Sequence, residues 1–547
     1  MHLATLLTAL GTALALAPPA RAAAPSPASA TVWQPWQTAL EAARPREDPL
    51  SVTVRAEIAG PRGERIRAVG FWDGGRTYRV RCAFPAPGTW RWRTECSDAT
   101  DTGLHGRSGT VRVAAYRGSN PLFRHGFLRV SDNRRYLCHT DGTPFFWLGD
   151  TAWAAPLKAR DADWDVYLRR RRAQGFTVIQ VGIAPEWAGE VDAAGERPFV
   201  GEGIRAPNPR FWRSFEDKIR RANAAGFPVL VVGVMEPTTR YPAEPDAVRF
   251  ARYLAARLCG SAVMLSPSFD SSHMPLADAV GRALRETVTA QLITQHPGTP
   301  GGQPTAIWSE EYFDRPYLDF VGVQSGHNSG NRERCASQAV NWVLHLYRRE
   351  PHRPVVNLEA MYDGQGVNAW TADDARRLAW LSLLSGAAGY TYGAGEMRRG
   401  MAGDGGVWGW VTDPAAPDYW RKALEWPSAA QMSVVRRVLT GVDWWDLEPA
   451  PERVLSDERS AQRRPVIAVA RGGRLAVAYL PAGGRARLDL DGMTGPLEAR
   501  WIDPSTGAER AGGRVEAERG ATLTAPGSRD RVLVLRATKP AGRANDR

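Results

Sequence analysis

Eight short apolar runs, each followed by a helical stretch, fill the middle of this 547-residue sequence, and no other feature narrows the possible folds as much. The runs are "FFWLGD" (145–150), "TVIQVGI" (177–183), "PVLVVGV" (228–234), "AVMLS" (262–266), "TAIWS" (305–309), "DFVGVQS" (319–325), "PVVNLE" (354–359) and "GYTYG" (389–393). Between them lie helix candidates such as "DADWDVYLRRRRAQG", "NPRFWRSFEDKIRRANAAG", "PDAVRFARYLAARLCG", "PLADAVGRALRETVTAQL" and "TADDARRLAWLSLLSG", several closed by a Gly stop. Such an alternation over residues 121–440 predicts a (β/α)8 TIM barrel. The rival, a doubly wound sheet, lacks its usual phosphate turn, because no GxGxxG follows any of these strands.

The flanks read differently. In residues 31–116, "SVTVRAEI", "RTYRVRCAF", "TWRWRTEC" and "GTVRVAAY" alternate apolar and polar residues between Gly/Pro turns. In residues 441–538 the same pattern returns in "PVIAVARGG", "RLAVAYLPAGG", "RARLDLDGM" and "RVLVLRA". The expected fold is therefore multidomain, a central TIM barrel flanked by N-terminal and C-terminal β-sandwich domains. Residues 1–22 read as a signal peptide, with an apolar stretch from Leu3 to Ala17 and cleavage near Ala22–Ala24, so the expected location is secreted, extracellular or periplasmic. No later stretch is long and apolar enough to span a bilayer.

The formal net charge of +12 raises the question of an acidic partner. The basic residues are nearly all arginine and are scattered, and their densest run, Arg169 to Arg172, falls inside a predicted helix. A solvated helix face accounts for it better than a nucleic-acid patch, so no nucleic-acid partner is expected. Five cysteines leave at least one thiol unpaired; Cys82 and Cys96 share the N-terminal segment and are the candidate pair. The cysteine spacing shows no zinc pattern and the histidines no HExxH, so no metal or cofactor is expected.

In a TIM barrel the chemistry sits where strands end at the C-terminal face. Those ends supply Asp150 and nearby Trp153; Gln180, Glu186 and Trp187; Glu236; Asp270; Trp308, Glu310 and Glu311; Gln324 and His327; Glu359 and Tyr362; and Tyr390 and Tyr392. A mouth ringed by acids, amides and aromatics suits a sugar, since carboxylates and amides bind vicinal hydroxyls and aromatic faces cover C–H surfaces. Cleaving a glycosidic bond needs two carboxyl groups. Acids after the fourth and seventh strands approach from opposite sides, which selects Asp270 as general acid/base and Glu359 as nucleophile. Glu310 and Glu311 lie close enough to compete. The substrate-binding candidates are Asp150, Trp153, Gln180, Glu186, Trp187, Trp308, Gln324, His327, Tyr362, Tyr392 and Trp408. Absence of a GxSxG elbow and of a metal motif disfavours an esterase or peptidase. A non-catalytic carbohydrate-binding or adhesin-like protein on a barrel scaffold is the alternative; alanine at Glu359 separates the two readings.

"FFWLGDTAW", "YLRRRRAQGFTVIQV", "VGVQSGH", "NLEAMYDG" and "GAAGYTYG" resemble, in order, signature segments of the apiosidase-like glycoside hydrolases. "GFWDGGRTYRVRCAFPAPGTWRW" resembles the β module often fused ahead of that barrel, and "ARWIDPSTG" a following domain that carries a collagen-binding label. The resemblance implies a secreted barrel hydrolase acting on plant or microbial polysaccharide, with release of apiose-linked side chains from pectin as the family's activity. The family's catalytic aspartate falls on Asp270 and its glutamate on Glu359. The chain departs from relatives at Pro267-Ser268-Phe269, at Ala360 and Asp363, and at Glu396-Met397. The expected mechanism is retaining.

Overall fold

The computed structural model describes residues 28–183, 191–201, 203–237, 241–270, 274–298, 308–325, 331–364, 370–395, 407, 419–455 and 459–538. Its centre is a curled sheet of eight parallel strands: Trp147–Thr151, Val178–Gly182, Val229–Val232, Val263–Leu265, Leu292–Ile293, Val321–Gln324, Val355–Glu359 and Gly389–Tyr392, hereafter the first to eighth barrel strands. The first strand pairs with both the second and the eighth. The two ends of the sheet then meet, because Asp319 N donates to Ile293 O (2.8 Å) and Thr294 Oγ1 to Phe320 O (2.9 Å). The result is a TIM-like barrel.

These strands read as unbroken apolar runs because both of their faces are covered. Alternate residues nevertheless serve different cores. Trp147, Val178, Leu230, Val232, Met264, Leu292, Phe320, Val356 and Leu358 fill the lumen. Leu148, Ile179, Val181, Val229, Val231, Leu265 and Ile293 face the helical layer instead. Local chemistry fixes the helices. Asn208 caps Pro209–Ala224, which opens on proline, and Thr371 forms a reciprocal capping box with Asp374 at the start of Ala372–Leu384.

One strand differs from expectation. The fifth strand of the sheet is Leu292–Ile293; of the expected run 305–309, residues 305–307 lie outside the described residues and the rest opens a short helix, Trp308–Tyr312. The preceding helix, Met274–Thr287, stops at a β-branched run, Thr287-Val288-Thr289, before it reaches Leu292.

Ahead of the barrel, a five-stranded sheet and a three-stranded sheet share one apolar core that includes Val54, Val80, Trp90 and Val111. Behind it, a six-stranded sheet and a two-stranded sheet share another, around Ile467, Leu488 and Leu533. Both flanks are tied to the barrel through buried charge. Arg257, on the helix Glu244–Leu258, reaches Asp73 of the N-terminal sheets (3.0 Å) and pairs with Glu216, which also meets Arg81 (2.9 Å). Arg376 makes a two-pronged pair with Asp530 (2.9 and 3.0 Å), and Trp380 stacks on Tyr479. All five cysteines are buried, and Cys82 and Cys96 are not joined in a disulfide, so the expected pairing is not formed. No helix among the described residues is long and apolar enough to cross a membrane.

Candidate active site

The seventh strand does not keep strict alternation. Val323 of the neighbouring strand faces Asn357, and the next residue, Gln324, already faces Glu359. Leu358 is therefore an extra step, and such bulges re-aim side chains. Leu358 packs in the lumen, and Glu359, which simple alternation would send outward, turns inward as well. There its Oε2 accepts from Gln324 Nε2 (2.7 Å) and its Oε1 from Tyr362 OH. Trp153 Nε1 in turn donates to Tyr362 OH (3.1 Å).

Asp270 arrives on the loop after the fourth strand. That loop is stitched to the end of the fifth strand: His296 N donates to Ser266 Oγ (2.9 Å), and Ser268 Oγ to His296 O (3.3 Å). Glu236, after the third strand, accepts from Phe269 N (2.9 Å). Asp270 itself sits at φ 50°, in the left-handed region that few non-glycine residues adopt and that clusters at functional sites.

Between the two acids lies the imidazole of His296, fully buried. Its Nδ1 is 3.4 Å from Asp270 Oδ1 and its Nε2 is 3.3 Å from Glu359 Oε2. Phe269 stacks on the ring (centroids 5.0 Å apart), and Trp153 meets it edge-on at 5.4 Å. The side chain of Asp270 is 34% exposed and that of Glu359 2%, so the site opens on the Asp270 side. Burial first, and the negative charge of Asp270 second, push the Glu359 carboxyl up to about 8, against the pull of His296, Tyr362 and Gln324.

One ligand-type atom from each of Asp270, His296 and Glu359 lies within 4.8 Å of the others, close enough for the three to share either a cation or a proton. Two carboxylates at this separation cannot both ionise freely, so the pair keeps one proton into the neutral range.

Of the residues singled out in the sequence, Asp270, Glu359, Gln324, Tyr362 and Trp153 converge on this centre. Gln180 lies beneath it, its Nε2 donating to Leu358 O (3.0 Å). Asp150 does not converge. It shares the outward face of its strand with Leu148, and its Oδ2 accepts from Arg171 Nε (2.7 Å) and Tyr167 OH (2.6 Å), fully buried under the helix Asp161–Ala173. Its expected substrate role is replaced by an internal ion pair, which also accounts for one arginine of the basic run. Tyr392 likewise faces outward, bonding Ser428 Oγ (2.5 Å) beneath the helix Pro427–Thr440. Glu310 pairs with His345 (2.8 Å) and Arg349 on the barrel's outer layer and does not compete for catalysis. Trp308 opens its short helix with its side chain outside the described residues, and Glu186, Trp187, His327 and Trp408 also lie outside them. His296 is not among the residues that the sequence singles out. The "HPG" turn after Ile293-Thr294 marks a strand end, but assigning Leu292 to a helix hid it.

A TIM-like barrel with paired acids and an aromatic wall at the C-terminal ends of its strands is the architecture of a glycoside hydrolase. The chain belongs to the apiosidase-like glycoside hydrolases: the family described as "Apiosidase-like, catalytic domain" matches residues 131–446, more than half of its length. A domain of unknown function, DUF5060, matches residues 29–97, and a family described as "Putative collagen-binding domain of a collagenase" matches residues 449–536. No curated protein matched the sequence. Among solved structures, one titled glycoside hydrolase is 21% identical with a TM-score of 0.66, covering 77% of this chain and 99% of its own. A family 5 glycoside hydrolase from Bacteroides vulgatus is 22% identical with a TM-score of 0.65, over 77% and 95%. A Bacteroides vulgatus structure titled a putative glycoside hydrolase is 16% identical with a TM-score of 0.72, over 93% and 100%. The three share this chain's fold.

Proposed function

We propose that the enzyme is a retaining glycosidase in which Asp270 is the general acid/base and Glu359 the nucleophile. The observation that carries this reading is the spacing of the acids. Their nearest ligand-type oxygens lie within 4.8 Å, whereas inverting enzymes hold their carboxyl groups about 6.5–9.5 Å apart to admit a water and retaining ones about 5–5.5 Å. In the first half-reaction Glu359 attacks the anomeric carbon. The glycosidic C–O bond breaks with its electron pair on the leaving oxygen, which takes the Asp270 proton. In the second, Asp270 deprotonates a water that displaces Glu359 from the anomeric carbon.

The proposed substrate is a plant or microbial polysaccharide, with apiose-linked pectin side chains first among candidates because of the family. We further propose that the flanking β units are sandwiches that orient the barrel on polymer, and that the protein is exported after cleavage near Ala22–Ala24. Incubating the purified protein with a panel of pectic and other polysaccharides, with NMR of the first-formed anomer, tests the function. Release of a sugar with retained configuration is expected; an inverted product overturns the mechanism, and no release from any member overturns the activity.

A further inference from the structure

We infer that His296 is a positioning residue of the reaction, a neutral imidazole that donates to one carboxyl group and accepts from the other, and so fixes which of the two acids carries the shared proton. The inference rests on the two-carboxylate reading above and goes beyond it by assigning a third side chain and its tautomer.

A neutral imidazole has one N–H and one bare nitrogen. Placed between two carboxyl groups that hold one proton, it satisfies both contacts only if its N–H faces the ionised acid and its bare nitrogen faces the protonated one. Glu359 already receives Tyr362 OH on one oxygen and Gln324 Nε2 on the other. Donors aimed at a carboxylate favour its charged form. Asp270 Oδ1 is buried and receives no hydrogen bond among the described residues. The assignment follows: Nε2–H toward Glu359, Nδ1 toward the acid proton of Asp270. Burial is the larger cause of the rise in the Glu359 carboxyl and persists in either state, while the smaller part, from the negative charge of Asp270, disappears when the proton sits on Asp270. The arrangement is the protonation state that the first half-reaction requires.

The ring is built to stay in this place. Its backbone is held by Ser266 and Ser268, its face by Phe269 and its edge by Trp153. The titratable groups around it are Asp270 and Glu359 at its two nitrogens, Tyr362 behind Glu359, Glu236 behind Phe269, and Tyr312 behind Ser268. Neither contact meets hydrogen-bond geometry in this substrate-free structure: both ring nitrogens are buried without a hydrogen-bond partner among the described residues, 3.4 and 3.3 Å from the two acids. Catalytic contacts commonly tighten once substrate is bound. When the Asp270 proton passes to the leaving oxygen and Glu359 becomes an ester, the N–H stays at Nε2 and the bare Nδ1 faces an ionised Asp270, which favours the return of a proton to Asp270 from the attacking water in the second half-reaction.

Two arms test this. In substrate-free protein labelled with 15N in its imidazoles, the His296 signals, identified by their loss in His296→Gln, should show the neutral Nε2–H form near neutral pH and should shift in Asp270→Asn. An Nδ1–H or doubly protonated ring, or signals unmoved by Asp270→Asn, would overturn the assignment. In kinetics on the glycoside that the wild type cleaves, His296→Gln, whose amide reaches the Nε2 place, should keep more activity than His296→Asn. The Asn variant should lose roughly 10²-fold in kcat, with KM nearly unchanged and the limbs of the pH–rate profile displaced. Equal losses in both variants, with lowered thermal stability and unmoved limbs, would mean that the ring only fills space. If the wild type cleaves no glycoside, the two-carboxylate reading falls, and the NMR arm still decides the tautomer and the coupling to Asp270.

Discussion

Asp150 and Glu359 are both fully buried acids at the ends of barrel strands, yet they lead different lives. Asp150 points out of the barrel onto Arg171 and locks a helix to the sheet. Glu359 points into the lumen and meets amide, hydroxyl, imidazole and a second acid, with no arginine or lysine among its described contacts. Asp150 has a guanidinium as counter-charge, although burial still pushes its carboxyl up, whereas Glu359, whose described contacts are an amide, a hydroxyl, an imidazole and a second acid, shares a proton with that acid, which is what chemistry needs. The side of the strand, rather than burial or position along it, separates the two.

The largest effect should come from Glu359→Gln, which should cut kcat by on the order of 10⁴-fold or more, with circular dichroism unchanged. The same variant carries a stability signature. The Glu359 carboxyl, which shares its proton with Asp270, is raised from 4.5 to about 8 in the fold, so the folded pair binds an extra proton between those values and the wild type loses stability as pH rises through that window. Glu359→Gln should flatten that slope in thermal melts between pH 5 and 8; an unchanged slope would mean that the carboxylate is not held as described. Asp270→Asn should lower kcat by roughly 10²–10⁴-fold, more for poor leaving groups than for good ones. It also removes a charge that raises Glu359, so the limb that reports Glu359 should move to lower pH. Asp150→Asn inverts the pattern. It leaves Arg171 buried against a neutral amide and should destabilise by about 3–5 kcal/mol in denaturant melts while turnover per folded molecule stays near wild type. A collapse of turnover with stability intact would erase the contrast. Glu310→Gln should change least, within about 1 kcal/mol and with unaltered kinetics, because its partners are partly exposed.

Much of the barrel could be read from the sequence, because runs such as "PVLVVGV" are apolar on both faces and have few other homes. Asp270 and Glu359 were legible as strand-end acids. The direction in which a strand-end residue points was not. Asp150 and Tyr392 needed the parity of their strands, and that is set by which neighbours enter the lumen, Trp147 and Thr391 here. The fifth strand was hidden because Leu292-Ile293 is too short to carry a period of its own and follows a helix without an obvious stop. His296 was hidden with it. The inward turn of Glu359 depends on the bulge at Leu358, a relation between two strands that a single strand's residues do not state.

That doubled step at Leu358 makes the inward aim of Glu359 a matter of counting. Transplanting Glu359 into another barrel as a lone substitution would deliver the acid to the wrong wall, while moving Asn357 through Glu359 together with the partner pair Val323 and Gln324 carries the irregularity along. Trimming one residue from this strand would restore a regular ladder and leave the lumen without its acid, so the segment behaves as an indivisible cassette for anyone redesigning the enzyme.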